Sequence, residues 1–394
     1  MSPRRSQLGL ASLLALSASL WMAGAAYREC VAAYAVTLAE QSPARWEELA
    51  AITPGNADVW RQLGQAALET NPQAAAGLFR RALSLNPADA QAYIGLGLIA
   101  EADGNSAEAE RNFLAAAAGS RRFRPQFALA YFYARQAPVK TFWPAAIRAA
   151  SVEAADLRPL FSVVHSTIPR AGVIAQNLRL RTQHSLASYA QFLLEQPDAS
   201  GLAGVAAQID PAPARKPLLL AVTDRLLRDS AASDAVRVWN RLYPGALDPA
   251  KGLSLTNPGF HPGDNAGFDW RPSPVYGVFL RQAPDSLRVE LSGRQPENAM
   301  FIEQIAPVLP RRRYCLRWKA TLSGSALRAG LHWRLRSDLS APIPIREGTQ
   351  EESVVFTTGP REELLRLSLC YTRPSGATRM EGVLDIQSVE LTLQ

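Results

Sequence analysis

The chain has 394 residues, 47% of them hydrophobic, and a formal net charge of +7. That is enough apolar material for two or three cores, and it excludes an intrinsically disordered segment. The charge is spread out: residues 251–394 carry 18 Lys and Arg against 15 Asp and Glu, leaving +3 there and +4 before it. No block of like charge dominates either part, so the excess reads as solubility and argues against a nucleic-acid partner.

The N-terminus has Arg4 and Arg5 ahead of Leu8 to Ala26, nineteen residues without a charge. A bilayer span needs ~20 apolar residues, and the arginines hold the start of the chain on the cytoplasmic side. The competing reading is a cleaved signal peptide, with Ala23, Gly24 and Ala25 as its small-residue site. The length of the run, and a helical pattern continuing from Tyr27 to Glu40, favour an uncleaved anchor over residues 8–26. Cys30 follows Tyr27, Arg28 and Glu29, which is no lipoprotein signal.

Residues 57–87, ADVWRQLGQAALETNPQAAAGLFRRALSLNP, are followed by a second unit of the same kind at 88–118. Trp60, Leu63, Gly64 and Ala67 return as Tyr93, Leu96, Gly97 and Ala100, and Ala75, Phe79 and Ala82 return as Ala109, Phe113 and Ala116. The spacing gives helical hairpins with one apolar face, ended by Asn86-Pro87, that bury their faces only by stacking. Gly64 and Gly97 allow close approach of a partner helix. The pattern resembles the tetratricopeptide repeat family, whose solenoids offer a groove to a protein partner.

Weaker copies flank the two units. Phe127, Ala130 and Ala134 continue the series, with Tyr131 at the Gly position and Pro144 interrupting the following helix, while Trp46 and Pro54 mark a fragment upstream. Residues 145–250 read as a degenerate continuation with two hairpins, LASYAQFLLEQPDASGLAGVAAQIDP and KPLLLAVTDRLLRDSAASDAVRVWNRLYPG. In the second, Ala235, Trp239 and Leu242 occupy second-helix core positions. The aromatic residues of the repeats are expected in the core.

After Gly245 the period changes from 3.6 to 2. SLRVELSG, RYCLRWKATLSG, GLHWRLRSD and ELLRLSLCYTRP alternate apolar and polar residues, and AMFIEQIAPV, SVVFTTG and GVLDIQSVELTLQ add further strands. Short half-buried strands between turns predict an antiparallel β-sandwich of jelly-roll type over residues 251–394. The stretch at 255–272, LTNPGFHPGDNAGFDWRP, stands at the change of character. Its Asn257, Gly259, Phe260, Gly267 and Trp270 resemble the first strand and following loop of jelly-roll carbohydrate-binding modules, with Pro258 inserted and His261 where that family has Glu. The resemblance implies a glycan-binding sandwich.

The expected fold class is therefore multidomain, α then β. Residues 1–26 form an anchor or signal peptide, 27–144 a tetratricopeptide-type α-solenoid, 145–250 its degenerate continuation, and 251–394 the sandwich.

Catalytic signatures are missing. The sequence has no G-x-S-x-G, H-E-x-x-H, C-x-x-C or G-x-x-x-x-G-K, and His165, His184, His261 and His332 are scattered. Glu351-Glu352 and Glu362-Glu363 sit in polar turns, and the chain reads as a non-enzyme without a cofactor.

Asp264, Asn265 and Asp269 offer oxygen ligands that suit Ca²⁺, a structural ion of the resembled modules, although turn formation accounts for the same residues. Arg317, Lys319, Arg334, Arg336 and Arg366, with His332, hold the polar parity of three strands; in one sheet they would form a basic face for carboxylate, sulfate or phosphate groups. The bland alternative is a solvated face neutralised by glutamates. Trp270 and Tyr276 are candidates for stacking on sugar rings, Trp318 and Trp333 are expected in the core, and Cys315 and Cys370 could pair if their strands neighbour.

Two readings stand. One is a single-pass protein of the bacterial inner membrane, its bulk periplasmic, or exported if the leader is cleaved. It binds a neutral or acidic polysaccharide through the sandwich and docks envelope assembly or export proteins through the solenoid. Tetratricopeptide proteins ending in such a module resemble components of exopolysaccharide systems. The other is a protein–protein adaptor in which the sandwich caps the solenoid.

Overall fold

The computed structural model describes residues 45–394 apart from 137–138, 153–154, 168–170, 284–285, 327–329, 337–338 and 344–347. The leader and Cys30 lie outside the described residues. Among those described, no helix is long and apolar enough to cross a membrane. The chain divides into two compact units, one of residues up to 169 with 177–180, the other of 170–176 with 181–394. The division falls near residue 180, so the last two helical hairpins lie in the same unit as the sandwich.

In the first unit α1 (Arg45–Ile52) is followed by antiparallel pairs α2 (Ala57–Ala67) with α3 (Pro72–Leu85), α4 (Ala90–Ala102) with α5 (Ser106–Gly119), and α6 (Phe123–Gln136) with α7 (Val139–Ala150); α8 (Arg158–Thr167) follows. Polar side chains start the helices: Asn71 accepts from the Ala74 N–H, Asp89 from those of Gln91 and Ala92, and Asn105 from that of Glu108. Pro72 stands in the first turn of α3, where its missing N–H costs nothing.

Phe79 and Phe113 lie at the centres of these pairs, with the small partners the repeat requires. A Cβ on Gly64 would stand 2.8 Å from the Phe79 ring and one on Gly97 would stand 2.9 Å from that of Phe113. Gly95 makes a third such contact, 2.3 Å from Phe79, so that ring is held between α2 and the next repeat's α4. The expected break at Pro144 does not occur, and α7 runs through it. Buried Phe142, Ala145, Ala146 and Ala149 keep this helix packed against α6, which outweighs the one hydrogen bond that Pro144 removes at its middle.

Tyr133 on α6 donates to Glu110 on α5 at 2.7 Å. Burial, then this bond, raises its pKa from 10.0 to about 12. A raised folded-state value stabilises the fold below pH 10.0, and that contribution is lost as the pH rises through about 12. Tyr133→Phe is expected to flatten the alkaline limb of a melting-temperature profile over that interval, with little change at neutral pH.

In the second unit most of α9 (Ala171–Asn177), then α10 (Gln183–Leu194), α11 (Leu202–Ala206), α12 (Lys216–Arg228) and α13 (Ala232–Leu242) precede ten strands among the described residues. Sheet A has the order β1 (Arg271–Pro272), β4 (Asn298–Pro307), β9 (Leu364–Thr372), β6 (Leu331–Arg336), β7 (Leu339–Pro342). Sheet B has the order β2 (Val278–Ala283), β3 (Ser286–Ser292), β10 (Glu381–Leu393), β5 (Arg313–Ala326), β8 (Gly348–Thr357).

All pairings are antiparallel. The inward residues of both sheets make one core, with Trp318 and Trp333 inside as expected. Leu255–Phe260 is not the expected first strand. Asn257 and Phe260 have φ of 50° and 56°, Pro258 has no N–H to give a ladder, and Asn257 accepts from the His261 N–H to close a turn.

Candidate functional site

The 255–272 stretch is a loop folded around one buried carboxylate. Asp269 accepts from the N–H groups of Asp264 (2.6 Å), Asn265 (3.4 Å) and Trp270 (2.8 Å), and from the Asn257 Nδ2 (3.3 Å). Asp264 turns to the helices instead. Its carboxylate meets the Lys216 ammonium at 2.7 Å and accepts from the Tyr243 hydroxyl, and the Asp264 contact raises the lysine pKa above its ordinary value.

The geometry gives Asp264, Asn265 and Asp269 the turn-forming role. Their carboxylates are occupied by N–H donors and an ammonium, and Asn265 contributes its backbone N–H to the same cap. No cluster of three or more His, Cys, Asp or Glu among the described residues could hold a metal.

The expectation for Trp270 is corrected. It is buried in the sandwich core, its ring 4.8 Å from Phe260 and 6.0 Å from Trp333, and its indole N–H donates to the Asn257 carbonyl. It cannot stack on a sugar. Tyr276, 74% exposed between β1 and β2, remains free to do so.

The expected single basic face is divided between the two sheets. Arg317 and Lys319 lie on β5 in sheet B; His332, Arg334 and Arg336 lie on β6 and Arg366 on β9, both in sheet A. The Arg336 side chain lies outside the described residues.

On the outer face of sheet B three arginines have acidic partners, Arg317 with Glu351 at 3.8 Å, Arg288 with Asp385 at 2.8 Å and Arg281 with Glu290 at 3.7 Å. Those three follow the neutralised alternative. Cys315 and Cys370 also lie in different sheets, each on the parity opposite the shared core, and both are free buried thiols. The expected disulfide is thereby corrected, because the sandwich stands between the two outer faces.

The outer face of sheet A is different. Register places Arg334 opposite Ser368, His332 opposite Cys370, and Ser368 opposite Glu303. The Arg366 guanidinium reaches both oxygens of Glu303, at 2.9 and 2.8 Å. Arg334 is exposed and has no carboxylate partner among the described residues, its only neighbour of that kind being the weak acceptor Sδ of Met300 at 3.7 Å.

Between these side chains Ser368 is buried, and its hydroxyl has no hydrogen-bond partner among the described residues. Burial raises the Cys370 thiol pKa, and the charge of nearby Arg334 pulls against it. Sheet A thus combines a guanidinium without a carboxylate partner among the described residues and a carboxylate held beside a second guanidinium. Glu303 and Ser368 went unnoticed in the sequence, although both share the outward parity of the arginines.

A second feature lies on α6. Phe123, Phe127 and Tyr131 stack at 5.4 and 5.8 Å, and the Arg135 guanidinium covers Tyr131 at 3.8 Å. Tyr131 is 43% exposed. These rings, four residues apart, form a ladder on the face of a repeat helix.

No family model matches the chain, and no curated protein matches it. Among solved structures it is similar to a CBM4 module, at 11% identity with a TM-score of 0.29 over 36% of this chain and 100% of that one. It is similar to pilF of Pseudomonas aeruginosa at 17% identity with a TM-score of 0.27, over 49% and 78% of the two chains. A third similarity is to TmCBM61 in complex with beta-1,4-galactotriose, at 15% identity and a TM-score of 0.25, over 36% and 98%.

Proposed function

We propose that this chain is a non-catalytic binding protein that holds an acidic polysaccharide on the outer face of sheet A and a protein partner on its helical repeats. We place it in exopolysaccharide assembly or export at the bacterial envelope, with residues 8–26 as its membrane anchor. The observation that carries the glycan reading is Arg334, exposed and without a carboxylate partner among the described residues, beside the Arg366–Glu303 pair. A guanidinium matches a sugar carboxylate in two hydrogen bonds.

The test is calorimetric titration of the full chain with acidic and neutral bacterial polysaccharides at low and high salt. Acidic polymer is expected to bind, more weakly as salt rises. Arg334→Ala is expected to weaken it by roughly tenfold, about 1.4 kcal/mol. Arg366→Ala is expected to weaken it at least as much, since it leaves the Glu303 carboxylate uncompensated and facing a ligand of the same charge.

The adaptor reading is favoured by the α6 aromatic ladder, which suits an apolar segment of another protein. Absence of heat with every polymer would decide for it.

A further inference from the structure

We infer that the turn between α5 and α6, with the exposed side of α6, docks an acidic peptide segment of a partner protein that carries apolar side chains among its carboxylates. The inference rests on the reading that the helical repeats hold a protein partner, and it names that partner's chemistry. Residues 111–150 contain six arginines, one lysine and no acidic residue. Arg121, Arg122 and Arg124 stand at the start of α6, all exposed and none with an acidic partner among the described residues.

Their place makes the excess unfavourable for folding. Like charges crowd together there, and the N-terminus of a helix is the positive end of its dipole, where carboxylates are favoured and guanidiniums are not. The turn that carries them is nonetheless fixed. The buried Gln126 side chain donates to the carbonyls of Ala117 and Ser120, each at 2.7 Å, and accepts from the Arg148 Nε at 3.3 Å. The Arg122 backbone N–H donates to the Ser120 Oγ at 3.3 Å. An uncompensated positive cluster on a turn held in one shape is preorganised for an anionic partner.

Along α6 the surface turns apolar. The ladder of Phe123, Phe127 and Tyr131 begins among the arginines and runs down the helix, its successive ring planes within 13° and 9° of parallel. Phe123 and Phe127 are half-buried, and Tyr131 is exposed. Tyr131 lies between Phe127 and the Arg135 guanidinium, which Glu101 holds at 2.9 and 2.5 Å. A sugar ring or a nucleobase stacks on an open aromatic face, and the faces of Tyr131 have neighbours. Leu, Met or Phe side chains pack on ring edges as well, and those edges are the positive side of the ring, which suits an adjoining carboxylate. Charge at one end and apolar surface along the helix select a peptide that offers both.

The experiment uses the full chain and two short fluorescein-labelled peptides, one built of Glu with Leu and Phe, the other of Glu with Gly. Binding is read by fluorescence anisotropy at low and high salt. The first peptide is expected to bind, more weakly as salt rises, and the Glu-Gly peptide about tenfold less tightly. Joint replacement Arg121→Gln, Arg122→Gln and Arg124→Gln is expected to weaken binding at least about tenfold, and Tyr131→Ala about fivefold. The arginine variant removes an unfavourable contact with the helix dipole, so it is expected to melt no lower than the parent, which separates loss of binding from loss of fold.

No binding of either peptide, equal binding of both, or binding unaltered by the arginine variant would overturn the site. Tighter binding of phosphatidylglycerol vesicles or of an acidic polysaccharide through the same arginines would overturn it in favour of that surface. Binding lost in Leu98→Glu, at a 39% exposed position of α4, but kept in the arginine variant would overturn this site while leaving a protein partner on the repeats. Arg334→Ala is expected to leave peptide binding unchanged, so the glycan reading of sheet A stands or falls separately.

Discussion

Gly267→Ala is expected to destabilise the second unit by about 3 kcal/mol, the combined cost of a left-handed backbone for a non-glycine residue and of an overfilled contact. Gly267 has φ of 59°, and a Cβ there would stand 2.4 Å from the Trp239 Cζ3 and 3.3 Å from the Thr223 Cγ2. Neither side can yield easily. Trp239 is buried against Tyr243 at 4.7 Å and Phe268 at 5.9 Å. The Gly267 N–H donates to Asp224 at 2.9 Å, its carbonyl accepts from Arg271 at 2.6 Å, and Arg271 pairs with Asp224 at 2.5 Å.

The measurement is urea denaturation beside a control, Gly376→Ala. Gly376 has φ of 77° and nothing within 4 Å of an added Cβ, so that variant carries the backbone cost alone, about 1 kcal/mol. Equal losses in the two variants would show that Trp239 does not hold the loop to α13.

The parts of the fold legible in the sequence are those fixed by local period. β3, β5, β6 and β9 alternate apolar and polar residues because each has one face in the core, whereas β10 changes parity at a bulge after Ile386; Gly64 and Gly97 mark close approaches because a Cβ would meet the Phe79 and Phe113 rings. β2 and β7 are short edge strands with little buried surface, so their alternation is faint.

What period cannot supply is which strands neighbour. The division of Arg317 and Lys319 from Arg334 and Arg366, and of Cys315 from Cys370, follows from the order of strands in two sheets, a long-range property. Trp270 was misplaced for a related reason. Its burial depends on the loop closing over Asp269, and a loop rich in Gly, Asn and Asp looks the same in sequence whether it closes or stays open.

Asp269→Ala is expected to cost about 4 kcal/mol, and calcium is expected neither to stabilise the parent chain nor to rescue the variant. The carboxylate is buried and accepts from three backbone N–H groups and one amide. Hydrogen bonds to a charged acceptor contribute about 1.5–3 kcal/mol each, and their losses overlap because one loop relaxes as a whole. Asp269→Asn keeps a single carbonyl oxygen and turns an amide toward donors, so it is expected to lose about half as much.

Differential scanning calorimetry of the parent chain and both variants, with EDTA and with millimolar calcium, separates the two accounts of the same carboxylate. An ion bound to the folded state raises the melting temperature by mass action, whereas a carboxylate already saturated by N–H groups gives no such dependence. A calcium-dependent rise in the parent chain, lost in Asp269→Ala, would make the loop a cation site. An unchanged parent and a strongly destabilised variant would establish Asp269 as the internal cap that carries the loop, with Trp270, into the sandwich core.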